Sequence, residues 1–403
     1  MKVLLISPMP EVDVACGDIT YTQSLLNHPP PGVVYEDYVS ALRRGTLVEH
    51  GRRQSVSNEK RPIHKAVEAG RFVLSAGLNR LRRSGFMFGE PWKWYSVQPG
   101  EYDVVHLHTF SARLSPIDCP LVVSNAIPQE NLYRDAWSQA PSIVKRKVVF
   151  ERIAARSMGV CQNSYAVRRA DRLVAFTDHL AEWYAKHGQV DPKQIDVVPI
   201  CIGAGKPRQA KDDPYRIGFI AKDFEAKGGP VVLEAFAKLR RTRPDAELVV
   251  VGSPPPPDSD ELAQQSVKWF PYVPREQLLN ELIPTFDILA YPTEFDGLPL
   301  VVLESLACGV PVATSDYAAM PEIVGFGQAG TVSPIQDANE LAKNLDYLLD
   351  PVRNAAYRQA ALMHFQSTYA RQAVLPQLAA CYRRAINERT PETPLHMTQG
   401  AVA

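Results

Sequence analysis

Asp296 to Ala313 reads DGLPLVVLESLACGVPVA. Two acidic residues, Asp296 and Glu304, bracket a glycine, a proline and the apolar run Leu300 to Leu303. Leu303, Leu306, Ala307 and Val310 then repeat at helical spacing, and Gly309-Val310-Pro311 stops the helix. The stretch predicts a loop through Asp296 and Gly297 that opens a helix, with Glu304 two turns inside it. Free N–H groups and a partial positive charge at a helix start favour an anion. A carboxylate further along can accept hydrogen bonds from paired sugar hydroxyls. An ordinary amphipathic helix with solvated carboxylates fits the same letters, because Glu is mostly a surface residue.

Outward from this stretch, the flanking segments alternate between strand and helix. Tyr215 to Ile220, Ala246 to Val251, Val267 to Tyr272, Asp287 to Tyr291 and Val312 to Thr314 read as strands. Val231 to Arg241, Ala338 to Leu349, Val352 to Phe365 and Gln372 to Ile386 read as helices. Between the first strand and the first helix lies AKDFEAKGGP, with Lys222 and Lys227 five apart and Gly228-Gly229 after them. Such a loop can turn both ammonium groups toward one anion, and the glycines let backbone approach it. Two exposed lysines in a turn are the plainer reading for either residue alone; the pair before a glycine doublet favours the anion. Trp269, Phe270 and Val273 are placed to pack near a nucleobase. Asp258 and Asp260 form an Asp-x-Asp pair in a polar loop, which reads as helix capping rather than a metal site.

The first half shows the same alternation. Lys2 to Ser7 is a buried strand, followed by the loop Ala15-Cys16-Gly17-Asp18 and a helix Ile19 to Leu26 with Asp18 as its cap. Gly17 and Asp18 are candidates for a phosphate-side loop, or else a capped tight turn. One glycine is too few for a dinucleotide fingerprint. Tyr102 to His108 is a strand on which His106 and His108 share a face. Leu121 to Asn125, Arg172 to Phe176 and Ile195 to Ile200 are further strands, residues 141–170 are helical, and Asp178 caps a helix Leu180 to Lys186. Cys201 to Pro214, rich in Gly, Pro and charge, reads as a linker.

Residues 43–93 carry twelve basic side chains against four acidic ones, ahead of an aromatic cluster that includes Trp92, Trp94 and Tyr95. Either residues 43–95 make a peripheral contact with an anionic membrane or lipid-linked acceptor, or they form a solvated helix and a loop packed on its own domain. The second is preferred. A chain of 403 residues exceeds one ordinary core, and its formal net charge of zero gives nothing that attracts nucleic acid. Six scattered cysteines with no CxxC suggest free thiols in a reducing, cytoplasmic setting, at most peripheral at the inner face of the cell membrane. No apolar run approaches the ~20 residues of a spanning helix.

The opening stretch resembles the acidic-x7-Glu signature of family 4 glycosyltransferases, retaining nucleotide-sugar enzymes of the GT-B fold. Asp296 stands where that family usually has a first Glu, with Glu294 close by as a substitute. The lysine loop resembles the family's Gly-Arg…Lys-Gly element, Lys222 replacing an Arg and losing its bidentate geometry. The resemblance implies two doubly wound Rossmann-like α/β domains facing a central cleft. These are an acceptor domain over 1–204 and a donor domain over 205–370. A helix over 371–389 crosses back, and a disordered tail covers 390–403. It implies a nucleotide-diphosphate sugar as donor, with no cofactor and no metal. The acceptor would be a sugar, a lipid-linked or a small-molecule hydroxyl.

In that scheme Glu304 takes the ribose, Asp296 the transferred sugar, and Lys222, Lys227 and the backbone of Gly297, Leu298, Pro299 and Leu300 the diphosphate. Family members often place a histidine after the strand that here ends in Ser124-Asn125. Asn125 can donate to a sugar hydroxyl but is no base; His108 is the other candidate there. A nucleotide-sugar epimerase or hydrolase of this fold, or a non-catalytic sugar-nucleotide binding protein, are the competing readings.

Overall fold

A computed structural model describes residues 1–7, 17–50, 94–108, 113–125, 166–186, 190–207, 215–252 and 266–389. The Asp258–Asp260 pair, most of the basic segment, the helices expected over 141–165 and the tail from 390 lie outside the described residues. The chain divides into two units. One comprises Met1–Ala175, Trp183–Asp196 and Leu378–Ala403; the other comprises Phe176–Glu182 and Val197–Gln377.

The strands of the first part of the chain are β1 (Lys2–Ile6), β2 (Val34–Asp37), β3 (Leu47–His50), β4 (Trp94–Val97) and β5 (Val104–His108). They continue with β6 (Arg113–Leu114), β7 (Leu121–Asn125), β8 (Arg172–Ala175) and β9 (Ile195–Val197). Six of them form a sheet in the order β2-β1-β5-β7-β8-β9. β2, β1, β5, β7 and β8 pair in parallel. β5, β7 and β8 are buried along their whole length, as strands covered on both faces must be. This explains why VVHLH and LVVSN read as nearly unbroken apolar runs. Around the sheet lie α1 (Gly17–Asn27) and α2 (Tyr38–Arg44). The second is capped by Asp37, whose carboxylate accepts from the N–H of Val39 and Ser40 at 2.9 and 3.0 Å.

A small sheet, β3-β4-β6, was not legible in the sequence. It gives Tyr95 a buried place in β4, at 0% exposure, so this residue of the aromatic cluster is core rather than a surface tip.

The second unit holds β10 (Arg216–Ile220), β11 (Glu247–Val251), β12 (Val267–Phe270), β13 (Ile288–Tyr291), β14 (Val312–Ser315) and β15 (Gly330–Ser333). They form one parallel sheet in the order β12-β11-β10-β13-β14-β15. Strand order reverses between β10 and β13. In open α/β sheets of this kind ligands bind beyond the carboxyl ends of the strands at that reversal.

The main helices from residue 178 onward are α3 (Asp178–Lys186), α4 (Gly229–Leu239), α5 (Leu300–Ala307), α6 (Met320–Ile323), α7 (Ala338–Leu348), α8 (Pro351–Thr368) and α9 (Arg371–Glu388), with a short helical run from Arg275 to Thr285 after β12. Val232, Phe236, Leu341 and Leu345 from α4 and α7 close one core with Phe219, Leu248 and Val250 of the sheet. α9 contains Pro376, and its residues fall in the second unit up to Gln377 and in the first from Leu378. Among the described residues, no helix is long and apolar enough to cross a membrane.

Local signals explain the helix ends. α5 stops as its sequence predicts. Gly309 is left-handed at φ +67°, its N–H donates to Leu306 O at 2.9 Å, and that of Val310 donates to Ser305 O at 2.9 Å. These are the paired bonds of a Schellman motif. Asp178 is not the cap of α3. Thr177 Oγ1 accepts from the N–H of Leu180 at 3.1 Å, while the Glu322 carboxylate takes the N–H of Asp178 and His179 at 2.7 and 3.0 Å. A carboxylate from α6 thus serves the helix start, which offers free donors to any anion near it.

Candidate functional site

Two loops leave the sheet at the β10/β13 reversal and touch each other. After β10 the chain runs through Lys222 to Gly228, and after β13 through Pro292 to Pro299. Gly228 holds φ +81°, and a Cβ there would lie 2.2 Å from Pro292 O. Only glycine tolerates both conditions, so the glycine doublet exists to let the two backbones meet. The contact is stitched by Glu294 N–H to Ala226 O at 3.3 Å and by Thr293 Oγ1 to the same oxygen at 3.4 Å. Phe224, midway along the lysine loop, packs on Trp269 of β12 with ring centroids 5.0 Å apart.

The meeting point is ionic. Lys227 Nζ donates to Asp296 Oδ2 at 2.8 Å and to Phe295 O at 2.5 Å. Tyr291 OH donates to the same Asp296 oxygen at 2.7 Å. The Lys227 and Asp296 side chains are 18% and 16% exposed, so the pair is mostly shielded yet reachable. Burial, then the Asp296 charge, holds the Tyr291 phenol well above its ordinary pKa, so it stays a proton donor to the carboxylate. Glu294, the substitute acid, instead accepts from Gln336 Nε2 at 2.8 Å. Lys222 is exposed, two residues beyond the end of β10.

α5 begins right after this loop, with Pro299 before it and no side-chain cap on its first turn. Its leading N–H groups are therefore offered outward. Glu304 sits one turn inside the helix rather than two, because the helix starts at Leu300. It is 4% exposed, and the Arg275 guanidinium donates to its Oε1. Burial raises its pKa, while the Arg275 charge and hydrogen bond oppose that rise. Arg275 follows β12, so residues from beyond β12, β10 and β13 gather along one edge of one sheet.

In the first unit, His106 and His108 are both fully buried at 0% exposure. Ser124 Oγ lies between them, 2.9 Å from His106 Nε2 and 2.8 Å from His108 Nδ1. His106 Nδ1 meets Tyr382 OH at 2.6 Å, and that hydroxyl meets Tyr35 OH at 2.7 Å. Burial, then the neighbouring His108, lowers the His106 pKa to about 3, so this ring is neutral. His108, the candidate beside Asn125, therefore lies among buried side chains rather than on an exposed face. Asn125 is 6% exposed and donates from Nδ2 to Tyr184 OH at 3.3 Å. Gly17 and Asp18 open α1, one residue ahead of the expected cap, and the loop before them lies outside the described residues.

The sequence brought together Lys227, Asp296 and the start of α5, as the structure does. It missed Arg275, Tyr291 and Gln336. Arg275 follows a proline in VPRE with no local mark of its target, twenty-nine residues away in sequence. Tyr291 was assigned to its strand, but its hydroxyl's partner is not encoded in a period-two pattern.

Residues 214–351 match the family model described as Glycosyl transferases group 1. The D-inositol 3-phosphate glycosyltransferase of Mycobacterium avium (strain 104) is 29% identical over 328 residues, 74% of this chain and 73% of that protein. The sucrose-phosphate synthase of Thermosynechococcus elongatus superposes with TM-score 0.60 at 17% identity, over 96% of this chain and 100% of that one. Anabaena HepE, solved with UDP and glucose, gives TM-score 0.57 at 14% identity, over 94% and 98% of the two chains.

Proposed function

We propose that this chain, a group 1 glycosyltransferase with the GT-B α/β fold, transfers a sugar with retention, and without a metal, from a nucleoside-diphosphate donor to an acceptor hydroxyl. The single observation that carries the donor site is the Lys227–Asp296 pair at 2.8 Å, set at the strand-order reversal of the second sheet and leading into the bare start of α5. A pyrophosphate fits there. Lys227 has three N–H donors, and Asp296 and Phe295 take two of them among the described residues. The third, together with the N–H groups of Leu300 and Val301 at the start of α5, can face phosphate oxygens, and the exposed Lys222 adds positive charge beside them.

The chemistry follows from that charge. The bond between the sugar's anomeric carbon and the phosphate oxygen breaks, and its electron pair stays on the diphosphate. The acceptor oxygen bonds the anomeric carbon on the same face, and its proton passes to the departing phosphate oxygen. No protein base is needed, and His106, closed off from solvent with its pKa lowered to about 3, is a poor one. Ammonium groups and helix N–H donors stabilise the charge that develops on the leaving group. Asp296, locked by Lys227 and Tyr291, keeps its second oxygen for a hydroxyl of the transferred sugar. Glu304 accepts from the ribose.

The acceptor is a sugar or a related polyol, lipid-linked or small. The mycobacterial relatives are named for an inositol phosphate, and this makes a phosphorylated cyclitol the first acceptor to try. The basic excess of 43–93 supports an anionic acceptor more than a membrane surface.

The test is transfer by wild type, Lys227→Ala and Glu304→Ala with a panel of UDP-, GDP- and ADP-sugars. Near-abolished transfer in both variants is expected. Wild-type rates in both would refute the assignment.

A further inference from the structure

The Glu304 carboxylate is a charge in a nearly closed place, and a buried carboxylate needs a partner or it takes up a proton. Its partner is Arg275, whose own side chain is 40% exposed. The guanidinium reaches Oε1 from the segment after β12, and Oε2 has no partner among the described residues. One oxygen is thus anchored and the other is left for a ligand. The groups facing Glu304 are few. Arg275 comes from one side and Cys308 from the end of the same helix. Burial, then the Glu304 charge, pushes the Cys308 thiol up to about 12, so it stays neutral. The helix's other packing neighbours, Ile283–Thr285, β13, β14 and α8, with Gly205 and Lys206 at its Cys308 end, place no further charge that acts on the carboxylate among the described residues.

We propose that Arg275 is a positioning residue for donor binding, acting through Glu304: it fixes the carboxylate by Oε1 and presents Oε2 to the donor's ribose. This rests on the donor-site reading above. Arg275 does not need to touch the donor, and its exposed side chain lets it adjust as the ligand enters. The role requires a positive donor that reaches Oε1 and leaves Oε2 open, which the guanidinium supplies through one N–H.

The sign of the effect follows from the electrostatics. Without Arg275, burial acts on Glu304 unopposed, and the carboxylate holds a proton to higher pH. A protonated carboxyl is a poorer acceptor for ribose hydroxyls, so donor affinity recovers as pH rises. The experiment is calorimetric binding of UDP, GDP and ADP to wild type and Arg275→Gln, from about pH 5.5 to 8.5. The ratio of variant to wild-type affinity cancels the titration of the phosphates themselves. That ratio is expected to rise severalfold across the range, because the variant's carboxyl sheds its proton only toward the upper end of it. The double variant Arg275→Gln with Glu304→Gln should show a constant ratio, and Arg275→Lys should restore part of the wild-type profile.

A ratio for Arg275→Gln that does not change with pH overturns the proposal while leaving the donor site intact. Wild-type protein that binds none of the three nucleotides overturns the donor site and this inference with it. Should Arg275→Gln fail to fold, Arg275→Met keeps the aliphatic stem and carries the same test.

Discussion

The two six-stranded sheets place different kinds of polar group among their strands. Counting only its own strands, the first sheet runs 2-1-3-4-5-6 and the second 3-2-1-4-5-6. In the second, charged groups gather beyond the strand ends: Lys227 with Asp296, and Arg275 with Glu304. Each pair is partly open, so a ligand can share it. In the first, the central strands β5 and β7 carry His106, His108 and Ser124, joined to Tyr382 and Tyr35, and the charged pair Arg172–Asp196 on β8 and β9 is buried. His106, His108, Ser124 and Tyr382 in that chain are buried, and Tyr35 at its end is half-buried. Partly exposed charge is suited to grip and release an ionic ligand, whereas a buried chain of imidazoles and hydroxyls serves to fix one helix against one sheet.

The sharpest way to break this contrast is Asp296→Ala. Removing the carboxylate frees Lys227 and Tyr291 together and is expected to lower the transfer rate by about 10²-fold or more. Steady-state kinetics checks it, and near-normal transfer would mean that the charged edge is only structural. Next comes Tyr382→Phe, which leaves His106 Nδ1 buried without its partner. It should cost about 1–3 kcal/mol of stability in denaturant unfolding, with nucleotide affinity unchanged. An equal loss of affinity would erase the distinction between the sheets.

A third experiment uses pH. His106 is depressed to about 3 in the folded protein, against an ordinary value near 6.5. Between those values the unfolded chain binds the extra proton. Stability is therefore fully present above about pH 6.5 and declines as pH falls toward 3, by up to about 1.4 kcal/mol per unit from this group. Unfolding midpoints measured from pH 7 to 4 should fall, and His106→Gln should flatten part of that slope. The smallest expected effect is Gly309→Ala at the Schellman turn of α5. A left-handed alanine, with its Cβ 3.3 Å from Arg358 O, should cost about 1 kcal/mol and leave binding of UDP nearly intact.

Much of the second unit was legible because its signals are local. DILAY, RIGFI and ELVVV are apolar strands; Gly228-Gly229 and Gly309 mark backbone that other residues resist. The start of α5 and its stop could be read from one stretch. What could not be read depends on distance in sequence. Arg275 reaches Glu304 across twenty-nine positions, Glu322 caps a helix 144 positions away, and Tyr382 meets His106 across 276. Such pairings arise from sheet order, which periodicity does not encode. The same limit hid the β3-β4-β6 sheet, whose two longer strands are separated by the basic segment.

The unit boundaries set the order in which the protein is completed during synthesis. From Val197 to Gln377 the second unit is an unbroken run, while the first unit includes Leu378 to Glu388, the last turns of α9. Tyr382, Arg384 and Arg389 are translated after the whole second unit, yet they bond His106, Asp196 and the carbonyls of Ile117 and Cys119, translated 188 to 276 codons earlier. The domain born first is thus completed last, and a nascent chain halted at Gln377 would carry a finished carboxy-terminal fold behind an amino-terminal one still waiting for its closing helix.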